Sequence, residues 1–315
     1  MSEQASYRKI NYSIRPGKNI QRKMIAEMCS CLKVLRRLNT YRYIGFGSTF
    51  FSDFSLFHRQ LGFRTMISIE KEEEDRERFE FNKPLGCIEL RFGESTDILS
   101  ELDWRDIPSI LWMDYDTQLD AAKMDDVRFL VENLSSESFL IVTLRAVAQD
   151  FGDDTRERLT KLKADLGDRV PHDIRPRDLA ANRFPRALRY IIHSNVQNIL
   201  SQRNTALPDE SRFEYKQLLN SVYNDGTRML TIGGILIQEG QLPSFSHCDF
   251  DSLDFYRDSH ALYHIRVPSL TYKEQRHLDA QLPSESASSP GVTEEDVKDY
   301  KNVYRYFPKF VEAEM

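Results

Sequence analysis

The nine residues Arg42-Tyr43-Ile44-Gly45-Phe46-Gly47-Ser48-Thr49-Phe50 constrain this chain more than any other stretch. A short apolar segment runs into two glycines spaced one apart, and an amphipathic run, Phe51 to Leu61, follows at once. That order reads as strand, tight turn and helix. The glycines let the backbone turn sharply and come close to a ligand, and the N-terminus of the helix presents N–H groups with no intrahelical partner. A nucleotide-like ligand is the expected occupant. The dinucleotide fingerprint needs a third glycine where this chain has Phe50, which disfavours a pyrophosphate packed on the helix and, with it, a nicotinamide oxidoreductase. A looser nucleoside site remains.

Three further strands are legible downstream. Phe63 to Ile69 ends in Glu70, at the distance where an acidic residue accepts ribose hydroxyls in doubly wound sheets. Ile88 to Phe92 ends in Gly93-Glu94-Ser95, polar groups able to reach an adenine edge, and Ile107 to Met113 is a buried-type strand ending in Asp114-Tyr115-Asp116. Four successive strands thus deliver a turn or a polar group at their carboxyl ends, where open α/β sheets bind ligands.

From Thr40 to about Leu144 this pattern resembles the class I S-adenosylmethionine-dependent methyltransferases. Gly45, Phe46, Gly47 and Ser48 match the glycine-rich first motif, Glu70 the ribose-binding acid, Glu94 and Ser95 the adenine contact, and Asp114 the end of the fourth strand. The resemblance implies a Rossmann-like α/β fold, doubly wound and mostly parallel, closed by an antiparallel hairpin, with S-adenosyl-L-methionine as cofactor. It also makes Asp114 and Asp116 the candidate catalytic carboxylates, because that strand end faces the sulfonium side of the cofactor and a carboxylate there can take a proton from an acceptor. One position departs from the family: the usual acid two places before the first glycine is Tyr43. The methionine amino group then needs another holder, such as Asp114 or a backbone carbonyl, or the chain is a regulatory module that binds the nucleoside without catalysis. The [DN]-P-P-[YF] tetrad of amino-methylating enzymes is absent, so methyl transfer to oxygen is the expected chemistry.

With 315 residues, 40% of them hydrophobic, the chain can bury a full core. No apolar run approaches the roughly 18 residues that span a bilayer, and Met1-Ser2-Glu3-Gln4 does not open a signal peptide, so a cytoplasmic protein with no membrane partner is expected. Cys29, Cys31, Cys87 and Cys248 sit at no metal or redox spacing, and the His247-Cys248-Asp249 and His260…His264 groups are incomplete as zinc sites, so no metal is expected. A net charge of -6 argues against a surface that grips nucleic acid all over. Local basic patches are still allowed.

Such patches occur twice. Arg15 and Lys18 lie in a Pro/Gly loop before a helical stretch, Ile20 to Leu38, and Arg183, Arg186 and Arg189 recur at three-residue spacing. The second group belongs to a helical insertion at about 151–205, the kind of element that forms lids or recognises substrates. Arg15, Lys18, Arg183 and Arg186 are therefore candidate substrate ligands, suited to a small-molecule or nucleotide-bearing acceptor, with nucleic acid left open. The organisation expected is an N-terminal helical segment (1–39), a methyltransferase-like domain (40–267) and a C-terminal extension (268–315). In the domain, Phe213 to Tyr223 and Thr227 to Ile237 flank the hairpin turn Asn224-Asp225-Gly226, and Gly233-Gly234 marks a bulge or a close backbone approach. Near its end the extension carries Tyr304-Arg305-Tyr306-Phe307, an aromatic tail expected to dock on its own domain or on a second subunit in a homodimer.

Overall fold

The computed structural model describes residues 15–308; the outer ends of the expected N-terminal segment and C-terminal extension, 1–14 and 309–315, lie outside the described residues. The strands are β1 (Arg42–Gly45), β2 (Thr65–Glu70), β3 (Ile88–Phe92), β4 (Ser109–Asp114), β5 (Ser138–Arg145), β6 (Phe213–Asn224), β7 (Arg228–Gln238) and β8 (Tyr263–Ile265). They form one sheet in the order β3-β2-β1-β4-β5-β7-β6-β8. β1 to β5 pair in parallel, β7 is antiparallel to β5 and to β6, and β8 joins the edge parallel to β6. The order reverses between β1 and β4, the switch point at which such sheets open a crevice beyond their carboxyl ends.

Strand side chains alternate between two cores, as a period of two requires. Tyr43, Ile110, Trp112, Phe139 and Ile141 point to the face covered by α1 (Pro16–Cys31), α2 (Ser52–Leu61) and α3 (Arg76–Asn82). Ile44, Leu111, Met113, Leu140 and Val142 point to the face covered by α4 (Ser95–Glu101), α5 (Ala121–Asn133), α6 (Thr155–Leu166) and α7 (Phe184–Arg203). The long α7 lies in that second core through Phe184, Leu188, Ile191, Ile192, Val196 and Leu200, so the segment that reads as an insertion also supplies the crossover from β5 to β6. Among the described residues no helix is long and apolar enough to cross a membrane.

The hairpin forms where Asn224-Asp225-Gly226 predicts it, with Gly226 at φ 90°. Its register slips between Gln217 and Leu219, opposite Gly233 and Gly234. A Cβ on Gly234 would overlap the ring of Tyr215, which accounts for the glycine in mid-strand.

α1 starts at Pro16, a favoured first helical residue, and finds its cap far away in sequence. Asp225 of the hairpin turn accepts the N–H of Gly17 at 3.0 Å and that of Lys18 at 2.8 Å. One helical turn on, Gln21 donates to Thr231 of β7 at 2.7 Å. The helix is thus fixed by polar contacts at the same sheet edge that carries the candidate site. Asp225→Ala should lower stability by about 0.5–2 kcal/mol, the usual cost of losing an N-cap, and a urea midpoint equal to wild type would show that the cap contributes nothing.

After β7 come α8 (Leu242–Phe245), α9 (Tyr272–Asp279) and α10 (Glu294–Val303). The segment between the last two is packed: Ala287 joins Leu278, Val297 and Tyr300 in a small third core. The aromatic tail docks on its own chain, where Glu27 of α1 receives Arg305 at 2.6 Å and the Tyr306 hydroxyl, and Lys23 donates to the carbonyl of Tyr306 at 2.9 Å.

Candidate active site

The turn after β1 holds its shape through two residues that are not glycine. Ser48 and Phe51 take left-handed backbone at φ 50° and 45°, whereas Gly47 sits at an ordinary φ of −74°. The glycines answer instead to crowding. A Cβ on Gly47 would lie 2.5 Å from Ser68 Oγ and 2.6 Å from the Phe51 ring, and one on Gly45 would lie 2.8 Å from the Tyr43 hydroxyl. Non-glycine residues held left-handed cost about 1–3 kcal/mol each, and such strain collects at ligand clamps.

Glu70 is the group that locks this turn. Its Oε1 accepts the N–H of Gly47 at 3.0 Å and the hydroxyl of Ser68 at 2.6 Å, and Ser68 Oγ accepts the same N–H at 2.9 Å. Ser68 lies two residues before Glu70, on the same face of β2. Burial pushes the Glu70 carboxyl up to about 8, although the Ser68 and Gly47 bonds pull the other way.

Tyr43, where the family usually has an acid, meets a carboxylate from the following helix. Buried Asp53, in the first turn of α2, accepts the Tyr43 hydroxyl. Burial raises the Asp53 carboxyl, while Arg22 and the Tyr43 bond counter it. Beside this pair, Lys18 of α1 reaches Asp114 at the end of β4, Nζ to Oδ1 2.5 Å, with the ammonium 4.2 Å from the Trp112 ring centroid. Lys18 is 3% exposed and Asp114 25%, so the carboxylate is the accessible member of the pair. Burial lowers the Lys18 ammonium to about 8, with Asp114 opposing the shift and Arg22 adding to it. Two cations from α1 and two carboxylates from α2 and β4 therefore balance one another at the strand ends, the arrangement that makes buried charge tolerable.

The other candidates are more dispersed. Phe46 packs on Tyr115 with ring centroids 5.4 Å apart. Asp116 is exposed in the loop after β4. Glu94 is exposed and pairs with Lys71 at 2.7 Å. The Ser95 hydroxyl is engaged by buried Asp126, which also accepts from Thr96 and Tyr115, at 2.5, 2.7 and 2.6 Å. Arg15 precedes α1 at the sheet's carboxyl edge. Arg183 and Arg186 are exposed at the start of α7, but Arg189 is buried and donates to Gln217 at 2.8 Å. A helix turns about 100° per residue, so the third arginine stands some 120° from the first and faces the sheet.

The structure thus brings together Lys18, Gly45, Gly47, Ser48, Glu70 and Asp114 and adds Ser68, Arg22 and Asp53, while Asp126 gathers Ser95, Thr96 and Tyr115 apart from them. Of these, Ser68 carried a signal, a hydroxyl in the apolar run of β2 two residues before an acid. Asp126 carried none, being one acid among several on an amphipathic helix.

Over residues 10–315 the sequence matches the family model described as "Putative O-methyltransferase". No curated protein matches. Among solved structures the chain is similar to Trm1 from Pyrococcus horikoshii in complex with S-adenosyl-L-methionine, at 12% identity and a TM-score of 0.47, over 74% of this chain and 58% of that one. It therefore spans less than two thirds of Trm1's length. It is also similar to the O-methyltransferase TomG from Streptomyces achromogenes in complex with SAM, at 13% identity and a TM-score of 0.35, over 67% of this chain and 79% of that one. The family match takes in nearly the whole chain, all eight strands and the strand-end site included, and the protein belongs to that O-methyltransferase family.

Proposed function

We propose that this enzyme transfers a methyl group to an oxygen of its acceptor at the carboxyl ends of β1, β2 and β4, with Asp114 as the base. The observation that carries the proposal is the 2.5 Å contact between Lys18 and Asp114. It holds one accessible carboxylate in a fixed direction at the switch point of the sheet.

The donor set fits S-adenosylmethionine. Glu70 has about four acceptor positions and spends only some of them on the turn, leaving room for ribose hydroxyls. The backbone of Gly45, Phe46, Gly47 and Ser48 flanks that carboxylate, and the Phe46 and Tyr115 rings offer an apolar wall. Glu94 and Ser95 lie at the adenine side, Glu94 through its exposed carboxylate and Ser95 through its backbone, since its hydroxyl is committed to Asp126. When bound, the cofactor supplies an activated methyl group. The protein then has two tasks, to hold acceptor and donor in line and to remove one proton. Asp114 takes that proton, Lys18 keeps Asp114 oriented, exposed Asp116 borders the entrance, and Arg15, Arg183 and Arg186 contact the acceptor. A cytoplasmic site of action belongs to the same reading, supported by four thiols that remain unpaired.

Incubation with tritiated S-adenosylmethionine and fractionated small-molecule, RNA and protein pools tests the proposal. Label in a methyl ether or ester is expected; label found only on nitrogen, carbon or sulfur would refute it.

A further inference from the structure

Beyond the strand-end carboxylates, a group of cations gathers at the same edge of the sheet on the face under α7. The register places them. Val222 of β6 lies between Leu230 of β7 and His264 of β8, and Val222 and Leu230 both point into the core below α7. His264, in line with them, and Arg228, two residues before Leu230, stand on that same face. Arg183 and Arg186 stand exposed at the start of α7, the helix that packs on β6. Arg228 Nη1 donates to the carbonyl of Ala181 at 3.0 Å, tying the start of β7 to the loop that leads into α7. The His264 imidazole is held below its ordinary range by partial desolvation and then by the charges of Arg266, Arg186 and Arg228.

Counter-charge is what the group lacks. Arg266 is neutralised by Glu295 at 2.9 Å, and Arg145 by Asp150 at 2.7 Å. Among the described residues, Arg183, Arg186 and Arg228 have no carboxylate partner, in a chain with 49 acidic residues against 43 basic ones. Like charges collected without counter-ions repel one another, and an anion seated among them removes that repulsion. Arginine supplies the planar fork that matches phosphate oxygens.

The cluster stands at working distance from Asp114. Asp114 is in register with Thr143 of β5, which is in register with Thr231 of β7, and Arg228 lies three residues beyond Thr231. Two strand spacings and a three-residue rise separate the backbones by roughly 14 Å; Asp114 stands on the α1 face and Arg228 on the α7 face, so an acceptor lying across the carboxyl edge of the sheet joins the two.

We infer that Arg183, Arg186 and Arg228, with His264, bind a phosphate group of the methyl acceptor, so that the substrate class is a phosphorylated hydroxyl compound. This rests on the reading of Asp114 as the oxygen acceptor's base. The overall negative charge of the chain fits one or a few phosphates better than a long polyanion gripped along its length.

The test uses the full-length protein, wild type and the Arg186→Gln/Arg228→Gln double variant, with Arg186→Gln alone as a second variant that leaves the Ala181 contact intact. Calorimetry with inorganic pyrophosphate should show binding to wild type, weakened at least tenfold in the double variant and less in the single one, with S-adenosylhomocysteine affinity unchanged. Absence of pyrophosphate binding, or binding equal in all three proteins, overturns the inference. Failure of S-adenosylhomocysteine to bind any of them would overturn the cofactor site instead, and the pyrophosphate result would stand separately. A fluorescent single-stranded ten-residue RNA distinguishes the source of the phosphate. RNA binding tighter than pyrophosphate, with a salt slope about 1.4 smaller in the double variant, supports a polynucleotide acceptor. No advantage for RNA supports a small phosphorylated one.

Discussion

Asp114→Asn is expected to lower turnover about 10²–10⁴-fold while S-adenosylhomocysteine affinity changes little. Asparagine keeps the shape of the side chain and an oxygen for Lys18, but it cannot take a proton. The change also leaves the Lys18 ammonium without its anion in a buried position, and breaking a buried pair from one side costs about 3–5 kcal/mol when the remaining charge must persist. Here it need not persist, because burial already brings Lys18 to about 8 and proton loss is accessible. A smaller loss of stability is therefore expected, and a thermal melt beside the rate separates folding from chemistry. If rate and cofactor affinity fell together, Asp114 would be holding the methionine amino group in place of the acid absent at Tyr43, and its assignment as base would be wrong.

Cofactor affinity should rise with pH between 6 and 8, by up to tenfold per pH unit, and level off above 8. The cause is Glu70. In the free protein burial holds its carboxyl at about 8, so at pH 7 it is largely protonated. Ribose hydroxyls donate to the ionised carboxylate, so binding favours ionisation and releases a proton. Calorimetry in buffers of different ionisation enthalpy would count that proton directly. Glu70→Gln should abolish the pH dependence and, above pH 8, weaken S-adenosylhomocysteine by roughly 1.5–3 kcal/mol for each charged hydrogen bond lost. A wild-type affinity flat from pH 6 to 9 would remove Glu70 from the ribose site. The same residue has a sign in folding: the folded chain retains a proton that the unfolded chain has lost between about 4.3 and 8, so its contribution to stability declines as pH rises through that window.

What the sequence determined by itself is local. The run from Tyr43 through Gly47 into Phe54, the acid closing β2, the apolar β4 ending in Asp114 and the Asn-Asp-Gly hairpin were all readable, because strand alternation, helical periodicity and turn chemistry act over a few residues. Those elements, in that order, also specify the sheet, since right-handed crossovers leave little freedom to a chain that alternates strand and helix. The tertiary structure decided which polar groups meet. Lys18 and Asp114 are 96 residues apart, and Asp225 caps a helix through Gly17, 208 residues before it. Tyr43 and Asp53, only 10 residues apart, pair because the turn folds α2 back over β1. Arg183 and Arg186 reach solvent while Arg189 turns inward, a difference set by how α7 lies on the sheet. None of these pairings has a periodicity to betray it. Each depends on register and packing, and each is enforced by the same requirement, that a charge taken out of water be met by a partner already in place.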